Sequence, residues 1–200
     1  MTKDNPPILI LHLSPRANGS SGLLMASFLK GAQAAGAQAR VLAVAGKSIE
    51  GCRACGDCYR TGQCVIDDDM EPFYQALEAA ARIVLVTPVY FYGIPALGKA
   101  MIDRAQVFWS RIYKLGQKRE FAAEPRGLVL AVGATKGKDL FTPIHLSMKY
   151  FFDSVGFPRK FPFVGFRRIE EPSDWAADQL AQVEGYGQEF VRGQLDLTLL

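Results

Sequence analysis

Apolar runs and polar breaks alternate along the chain in a regular rhythm. Residues 7–13 (Pro-Ile-Leu-Ile-Leu-His-Leu) form an unbroken apolar run, as expected of a parallel strand covered on both faces. Leu23, Leu24, Phe28 and Leu29 then recur at helical spacing over about 22–35, and residues 38–44 read as a second strand. After an aperiodic stretch the pattern resumes with a helix over about 72–82 and a third strand over 83–86. A helix over about 96–114 follows, then a fourth strand over 127–132 and a helix over about 141–154. A fifth strand over about 160–166 and a last helix over about 173–192, with Ser173 or Asp174 as N-cap, complete the series. Residues 195–200 alternate, which suits a segment lying along a neighbouring subunit or fraying.

Five strands alternating with helices predict one α/β domain over 1–200, a doubly wound parallel sheet with no internal repeat and no linker. Ligands of such sheets lie at the carboxyl ends of the strands, near a switch point. Three loops there carry distinctive residues, those after the first, third and fourth strands. The aperiodic stretch, about 46–66, follows the second strand and is expected to open on the same edge. Structureless loops longer than ~12–15 residues are uncommon unless functional.

The stretch holds all four cysteines, Cys52, Cys55, Cys58 and Cys64, spaced C-x2-C-x2-C-x5-C. Structural zinc sites usually separate two cysteine pairs by a long spacer, and the two histidines, His12 and His145, are far away in sequence. Close C-x2-C-x2-C spacing is the habit of cubane iron–sulfur clusters, so the spacing favours a cluster, with zinc and free or disulfide-bonded thiols as alternatives. Metal binding is expected to order the loop, contributing on the order of 10 kcal/mol by the measure of zinc-finger peptides. Asp67, Asp68 and Asp69 are expected mainly to cap the following helix.

The first loop, Ser14-Pro15-Arg16-Ala17-Asn18-Gly19-Ser20-Ser21, brings hydroxyls, an amide and a guanidinium to a helix N-terminus, which suits a phosphate. It lacks G-x-G-x-x-G, and the Walker-like Gly46-Lys47-Ser48 has neither the required first glycine nor a following helix. A serine-rich turn capping a helix is the plain alternative. The third loop, Thr87 to Pro95, places Tyr90, Phe91 and Tyr92 in a row before Gly93, suited to stacking on a flat ring or to core and dimer contacts. Together the two loops point to a mononucleotide with a large planar head, a description that FMN fits.

Composition narrows the partners. A net charge of +3, with basic residues scattered, argues against nucleic acid. No apolar run approaches the ~18 residues of a membrane span. With no hydrophobic signal region at the N-terminus, a cytoplasmic location is expected. His12 reads as a satisfied core histidine and His145 as a helix-face residue. Lys99, Asp103 and Arg104 read as a salt-bridged or interface set, and Phe108, Trp109 and Tyr113 as oligomer contact or core. Lys136 and Lys138 suit an anionic donor or reduced flavin, or simple solvation.

The Ser-Pro-Arg…Asn-Gly-Ser-Ser loop, the cysteine spacing followed by Asp68-Asp69-Met70, Thr87-Pro88-Val89-Tyr90 and Lys99…Asp103-Arg104 resemble the NADPH-dependent FMN reductase-like superfamily, and within it the iron–sulfur flavoproteins. The resemblance covers about residues 7–135 by motif and the remainder by element order. It implies a flavodoxin-like sheet of order 2-1-3-4-5, FMN, and a 4Fe–4S cluster on Cys52, Cys55, Cys58 and Cys64. It assigns the phosphate to Ser14, Arg16, Asn18, Ser20 and Ser21, and the isoalloxazine to Pro88, Val89, Tyr90, Phe91, Tyr92 and Gly93, with Gly133 and Thr135 bordering the ring. It also implies homodimers or homotetramers in which cluster and flavin come close, across a subunit boundary, and a ferredoxin-like electron donor. Three activities follow as expectations: an electron-transferring oxidoreductase with a small-molecule acceptor, an NAD(P)H-dependent FMN or quinone reductase with structural zinc or empty cysteines, or a non-enzymatic electron carrier or redox sensor.

Overall fold

A computed structural model describes residues 6–196 and the backbone of Thr198 and Leu199. Its centre is an all-parallel sheet built from β1 (Ile8–His12), β2 (Ala39–Ala43), β3 (Arg82–Pro88), β4 (Arg126–Gly133), β5 (Phe163–Arg167) and β6 (Thr198–Leu199). The spatial order is β2-β1-β3-β4-β5-β6, so the expected 2-1-3-4-5 arrangement carries a sixth, two-residue strand. That strand absorbs part of the alternating C-terminal segment, pairing within the sheet instead of reaching a neighbouring subunit or fraying. Residues 197 and 200 of that segment, like residues 1–5, lie outside the described residues.

The apolar runs become strands because both faces of the sheet are covered. Ile8, Ile10, Val84, Val86, Leu128 and Leu130 point to one side, where α1 (Ser20–Ala34) and α7 (Ala177–Arg192) pack. Leu9, Leu11, Ile83, Leu85 and Val129 point to the other, covered by α3 (Glu71–Ala79), α4 (Ala96–Arg104), α5 (Gln106–Tyr113) and α6 (Thr142–Ser154). A four-residue helix, α2 (Cys58–Thr61), sits inside the cysteine segment. The chain winds one way from β1 to β2 and the other way from β3 onward, which puts the switch point between β1 and β3.

Several element boundaries differ from the pattern-based expectation, the fifth strand among them, which runs Phe163–Arg167. The helix expected over 96–114 is two helices, because at Ala105 the N–H bonds to Ile102 O, three residues back, and interrupts the α-helical ladder. Arg82 opens β3 instead of closing a helix. The last helix starts after a short 3-10 turn, Pro172–Asp174. There Asp174 accepts from the Glu170 and Glu171 N–H groups, while Gln179 Oε1 accepts from Ala176 N–H at the start of α7.

Among the described residues no helix is long and apolar enough to cross a membrane.

Candidate functional site

The loop after β1 folds back on the first turn of α1. A Cβ on Gly22 would lie 2.3 Å from the Ala17 carbonyl oxygen, so only glycine permits the turn. Ser14 Oγ accepts from the Arg16 N–H at 3.1 Å and holds the loop's start. The first N–H groups of α1 have no intrahelical partner, and the helix dipole adds about half a positive charge there. Arg16 and Asn18 are exposed; the Arg16 side chain lies over Gly19 and makes no ion pair among the described residues.

The three serines of this loop are buried, and their hydroxyls are engaged. Ser20 Oγ donates to the Glu170 carbonyl, and the Trp175 indole N–H donates to the Ser20 carbonyl. The segment after β5 thus clamps the helix start from a distance of 150 residues in sequence. Ser21 Oγ faces His12 Nε2 at 2.9 Å. The loop presents Arg16, Asn18 and backbone N–H groups outward, with serines behind them.

At the carboxyl end of β3, Tyr90 and Gly93 exchange backbone hydrogen bonds (2.9 and 2.8 Å) around a two-residue turn. Its central residues, Phe91 and Tyr92, both have left-handed backbone (φ 47° and 62°). For residues with a Cβ that costs roughly 1–2 kcal/mol each. The turn projects Phe91 entirely into solvent, and Tyr90 and Tyr92 remain 40% and 45% exposed.

Pro88 and Val89 are half-buried beneath this turn. Val89 packs on Gly133, and the Tyr92 hydroxyl lies so close to Gly137 that a Cβ there would come within 2.2 Å of it. Thr135 is exposed, and its carbonyl accepts from the Arg168 N–H. The loops after β3 and β4 therefore form one continuous rim. The loop after β1 joins it on the same edge, through the pairing of His12 with Val86 and of Pro88 with Val132.

The cysteine segment departs from this edge. Val44 is still tied to it, its N–H donating to the His12 carbonyl. Beyond Ile49 the chain runs down the α4–α5 side, held by Arg104. That guanidinium is buried, and all its hydrogen-bonding directions are used. Nη1 donates to Glu50 O (3.1 Å) and Asp68 Oδ2 (2.7 Å), Nη2 to Ile66 O (3.3 Å) and Asp68 Oδ1 (3.2 Å), and Nε to the Tyr74 hydroxyl (3.1 Å).

One side chain thus joins both ends of the segment. Burial pushes the Asp68 carboxyl up, but hydrogen bonds from Arg104 and from the Glu50 and Met70 N–H groups outweigh it and hold it below the usual carboxylate range. Burial likewise opposes the charge on Arg104, and Asp68 and Tyr74 more than compensate. Burial dominates at Tyr74 and raises its pKa.

Two expectations are corrected here. The aspartates do not chiefly cap α3, whose N-cap is Met70 without a side-chain hydrogen bond. Asp68 and Asp69 instead bind the N–H groups of Glu50 and Ser48 and close the base of the loop. Lys99, Asp103 and Arg104 are all salt-bridged but are not one set: Lys99 and Asp103 pair with each other at 2.6 Å, and Arg104 pairs with Asp68. Nothing local in the sequence marks Arg104 for this role, since Asp68 lies 36 residues away.

Within the closed loop, Cys52, Cys55, Cys58 and Cys64 are unbridged and line a single cavity with Arg104, Gln106 and Val107. Ala54, Gly56 and Gly62 turn the chain with left-handed backbone. The Ser110 hydroxyl contacts Cys58 Sγ at 3.2 Å, and Arg111 Nε donates to Gly62 O at 2.7 Å. Among the described residues no three His, Cys, Asp or Glu side chains are gathered as a single metal ion would require. The donor set that shares the cavity is all-thiol, and His12 and His145 are not among its lining.

Comparison with known proteins follows the same division. The chain is 30% identical over 124 residues to an iron-sulfur flavoprotein of Methanosarcina thermophila, covering 62% of this chain and 61% of that protein. It is 30% identical over 138 residues to an iron-sulfur flavoprotein of Methanocaldococcus jannaschii, covering 69% and 67%. The match spans about three fifths of the length of the Methanosarcina relative.

Among solved structures, an FMN-dependent NADH-azoreductase from Bacillus anthracis superposes with a TM-score of 0.65 at 14% identity, over 95% of this chain and all of that one. An NAD(P)H:quinone oxidoreductase from Methanothermobacter marburgensis superposes with a TM-score of 0.64 at 14% identity, over 93% and 99%. These likenesses establish the fold as flavodoxin-like. Residues 6–146 match the NADPH-dependent FMN reductase model, and the chain belongs to that family.

Proposed function

We propose that the chain is an FMN-dependent oxidoreductase that exchanges electrons between a 4Fe–4S cluster on Cys52, Cys55, Cys58 and Cys64 and FMN at the carboxyl edge of the sheet. The observation that carries this reading is the occurrence, in one FMN reductase fold, of a phosphate-suited helix start, an aromatic rim and four thiols lining one cavity. When bound, FMN handles one or two electrons and the cluster one, so the protein's part is positioning and electrostatics.

In this reading Arg16, Asn18 and the first N–H groups of α1 hold the phosphate, with Ser14, Ser20 and Ser21 behind them. Pro88 to Gly93 line the isoalloxazine, and Gly133 and Thr135 border it. The Tyr90–Gly93 turn fixes the backbone that carries the aromatic side chains before a ring arrives, which reduces the ordering required on binding. Ser110 supplies a hydroxyl to Cys58 Sγ, and Arg104 places a positive charge in the cavity wall.

Within one chain the cysteine cavity is set back from the sheet edge. Gly98 of α4 sits against Leu13 at the sheet edge, and Arg104 lies six residues further along the helix, roughly 9 Å away from that edge. The cysteine segment meanwhile borders an aromatic face, Tyr59, Trp109 and Tyr113, with Tyr150 nearby, and all three tyrosines are well exposed. This arrangement supports a homodimer or homotetramer in which cluster and flavin meet across the subunit boundary. A ferredoxin-like protein or NAD(P)H is the electron donor and a small molecule the acceptor.

The test is protein purified without oxygen. About four iron and four sulfide per FMN, with a broad absorbance shoulder that dithionite bleaches, is the expected result. Stoichiometric zinc with a pure flavin spectrum would overturn the cluster. Sustained NAD(P)H oxidation with a quinone by cluster-free protein would assign the chain to the simple reductases.

A further inference from the structure

His12 and Ser21 form a buried polar pair that shares one hydrogen bond and leaves one proton without an acceptor inside the pair. His12 is the last residue of β1 and is 1% exposed; Ser21 is in the first turn of α1 and is 2% exposed. They share one hydrogen bond, Nε2 to Oγ at 2.9 Å, and His12 Nδ1 is buried with no partner among the described residues.

Neutral imidazole carries one N–H and the hydroxyl one O–H, so a single bond between them leaves one donor over. If Ser21 donates to Nε2, the imidazole proton sits on Nδ1, where no acceptor meets it. If Nε2–H donates to Ser21 Oγ, Nδ1 keeps only a bare lone pair, and the serine proton is the one left over. A buried donor without an acceptor costs about 1–3 kcal/mol. Desolvation lowers the pKa of His12, which keeps the ring neutral and this choice of tautomers open.

Only the second arrangement has a remedy at hand. Ser21 belongs to the N-terminal turn of a 15-residue helix, two residues after Gly19, over which the Arg16 side chain lies, and an anion is favoured at such a helix start. We infer that His12, protonated at Nε2, is a positioning residue for the cofactor's phosphate: it holds Ser21 Oγ from behind and turns the serine hydroxyl into a donor toward the phosphate oxygens. This rests on the FMN assignment above. It gives the buried end of β1 a role in telling FMN from riboflavin, which lacks the phosphate.

The experiment titrates flavin-free full-length protein with FMN and with riboflavin, for wild type, His12→Phe, His12→Gln and Ser21→Ala. Wild type is expected to prefer FMN. His12→Phe and Ser21→Ala are expected to lose about fivefold of that preference, the worth of one hydrogen bond, with riboflavin binding unchanged. His12→Gln keeps an N–H donor and retains most of the preference. Nitrogen-15 NMR of the wild-type FMN complex, which needs no variant to fold, is expected to show the proton on Nε2. An Nδ1–H tautomer in that complex, or an undiminished FMN preference in folded His12→Phe, overturns the inference. A wild type that binds both flavins equally overturns the phosphate assignment itself.

Discussion

Arg104 and Asp68 meet at the base of the cysteine segment, Nη1 to Oδ2 at 2.7 Å, with their side chains 1% and 5% exposed. Removing one partner leaves the other charge buried and unpaired, at a cost of about 3–5 kcal/mol. Arg104→Met is therefore expected to be strongly destabilised in urea denaturation. The double variant Arg104→Met, Asp68→Leu is expected to recover part of the loss. A double variant destabilised by the sum of Arg104→Met alone and Asp68→Leu alone would show that the pair carries no coupling.

Acid sensitivity should follow from the same carboxylate. The folded state holds Asp68 below its ordinary pKa of about 3.9, so its contribution is complete above that value and is lost as pH falls through the lower folded pKa. Below about pH 4 the wild-type urea midpoint is expected to drop more steeply than that of Asp68→Asn. The variant, already weaker at neutral pH, has lost that proton linkage. Parallel curves would assign the acid limb to other carboxylates.

The turn at Tyr90 to Gly93 separates stability from binding. Phe91 is fully exposed and sits in left-handed backbone, so Phe91→Gly removes strain and no buried contact. The flavin-free variant is expected to melt at or above the wild-type temperature and to bind FMN more weakly for want of a stacking edge. A lower melting temperature would mean that the turn has a packing partner in solution.

Arg16→Ala probes the outward face of the first loop. An arginine hydrogen-bonded to a phosphate contributes about 1.5–3 kcal/mol, so FMN affinity is expected to fall about tenfold or more while riboflavin binding holds. Unaltered FMN affinity would remove Arg16 from the phosphate site.

Ser110→Ala tests the contact with Cys58. Hydrogen bonds to cluster sulfur raise the reduction potential, so their loss is expected to lower it in a dithionite titration followed by EPR. An unmoved potential would make the hydroxyl a packing feature of α5, satisfied by the Gln106 carbonyl at 2.7 Å.

The strands were legible because Ile8 to Leu11, Ile83 to Val86 and Leu128 to Val132 are apolar without interruption, which only a sheet covered on both faces demands. The first loop was legible because Asn18, Gly19 and Ser20 are not what a strand or helix interior selects, and the third because Pro88, Gly93 and Pro95 bracket the run Tyr90 to Tyr92. The break at Ala105 left no trace, since alanine is the best helix former and the interruption lies in backbone hydrogen bonding. The start of α7 was misplaced because Ser173 and Asp174 have cap chemistry but serve a 3-10 turn. The burial of His12 was legible from its strand, but its partner Ser21 and its unpartnered Nδ1 were not, and the buried pairing of Arg104 with Asp68 was hidden altogether, because partners are set by tertiary packing.

The closure of the cysteine segment by Arg104, Asp68 and Asp69 alters what an inorganic core would mean to this chain. In a zinc finger the metal is the fold, and chelation unfolds the peptide. Here the ring of chain around the thiols is fastened by the protein itself, so the segment behaves as a socket and not as a clasp. A socket can be emptied and refilled. On the proposed reading, loss of a cluster is expected to leave the Arg104–Asp68 closure, and with it the flavin-binding body, in place for reloading.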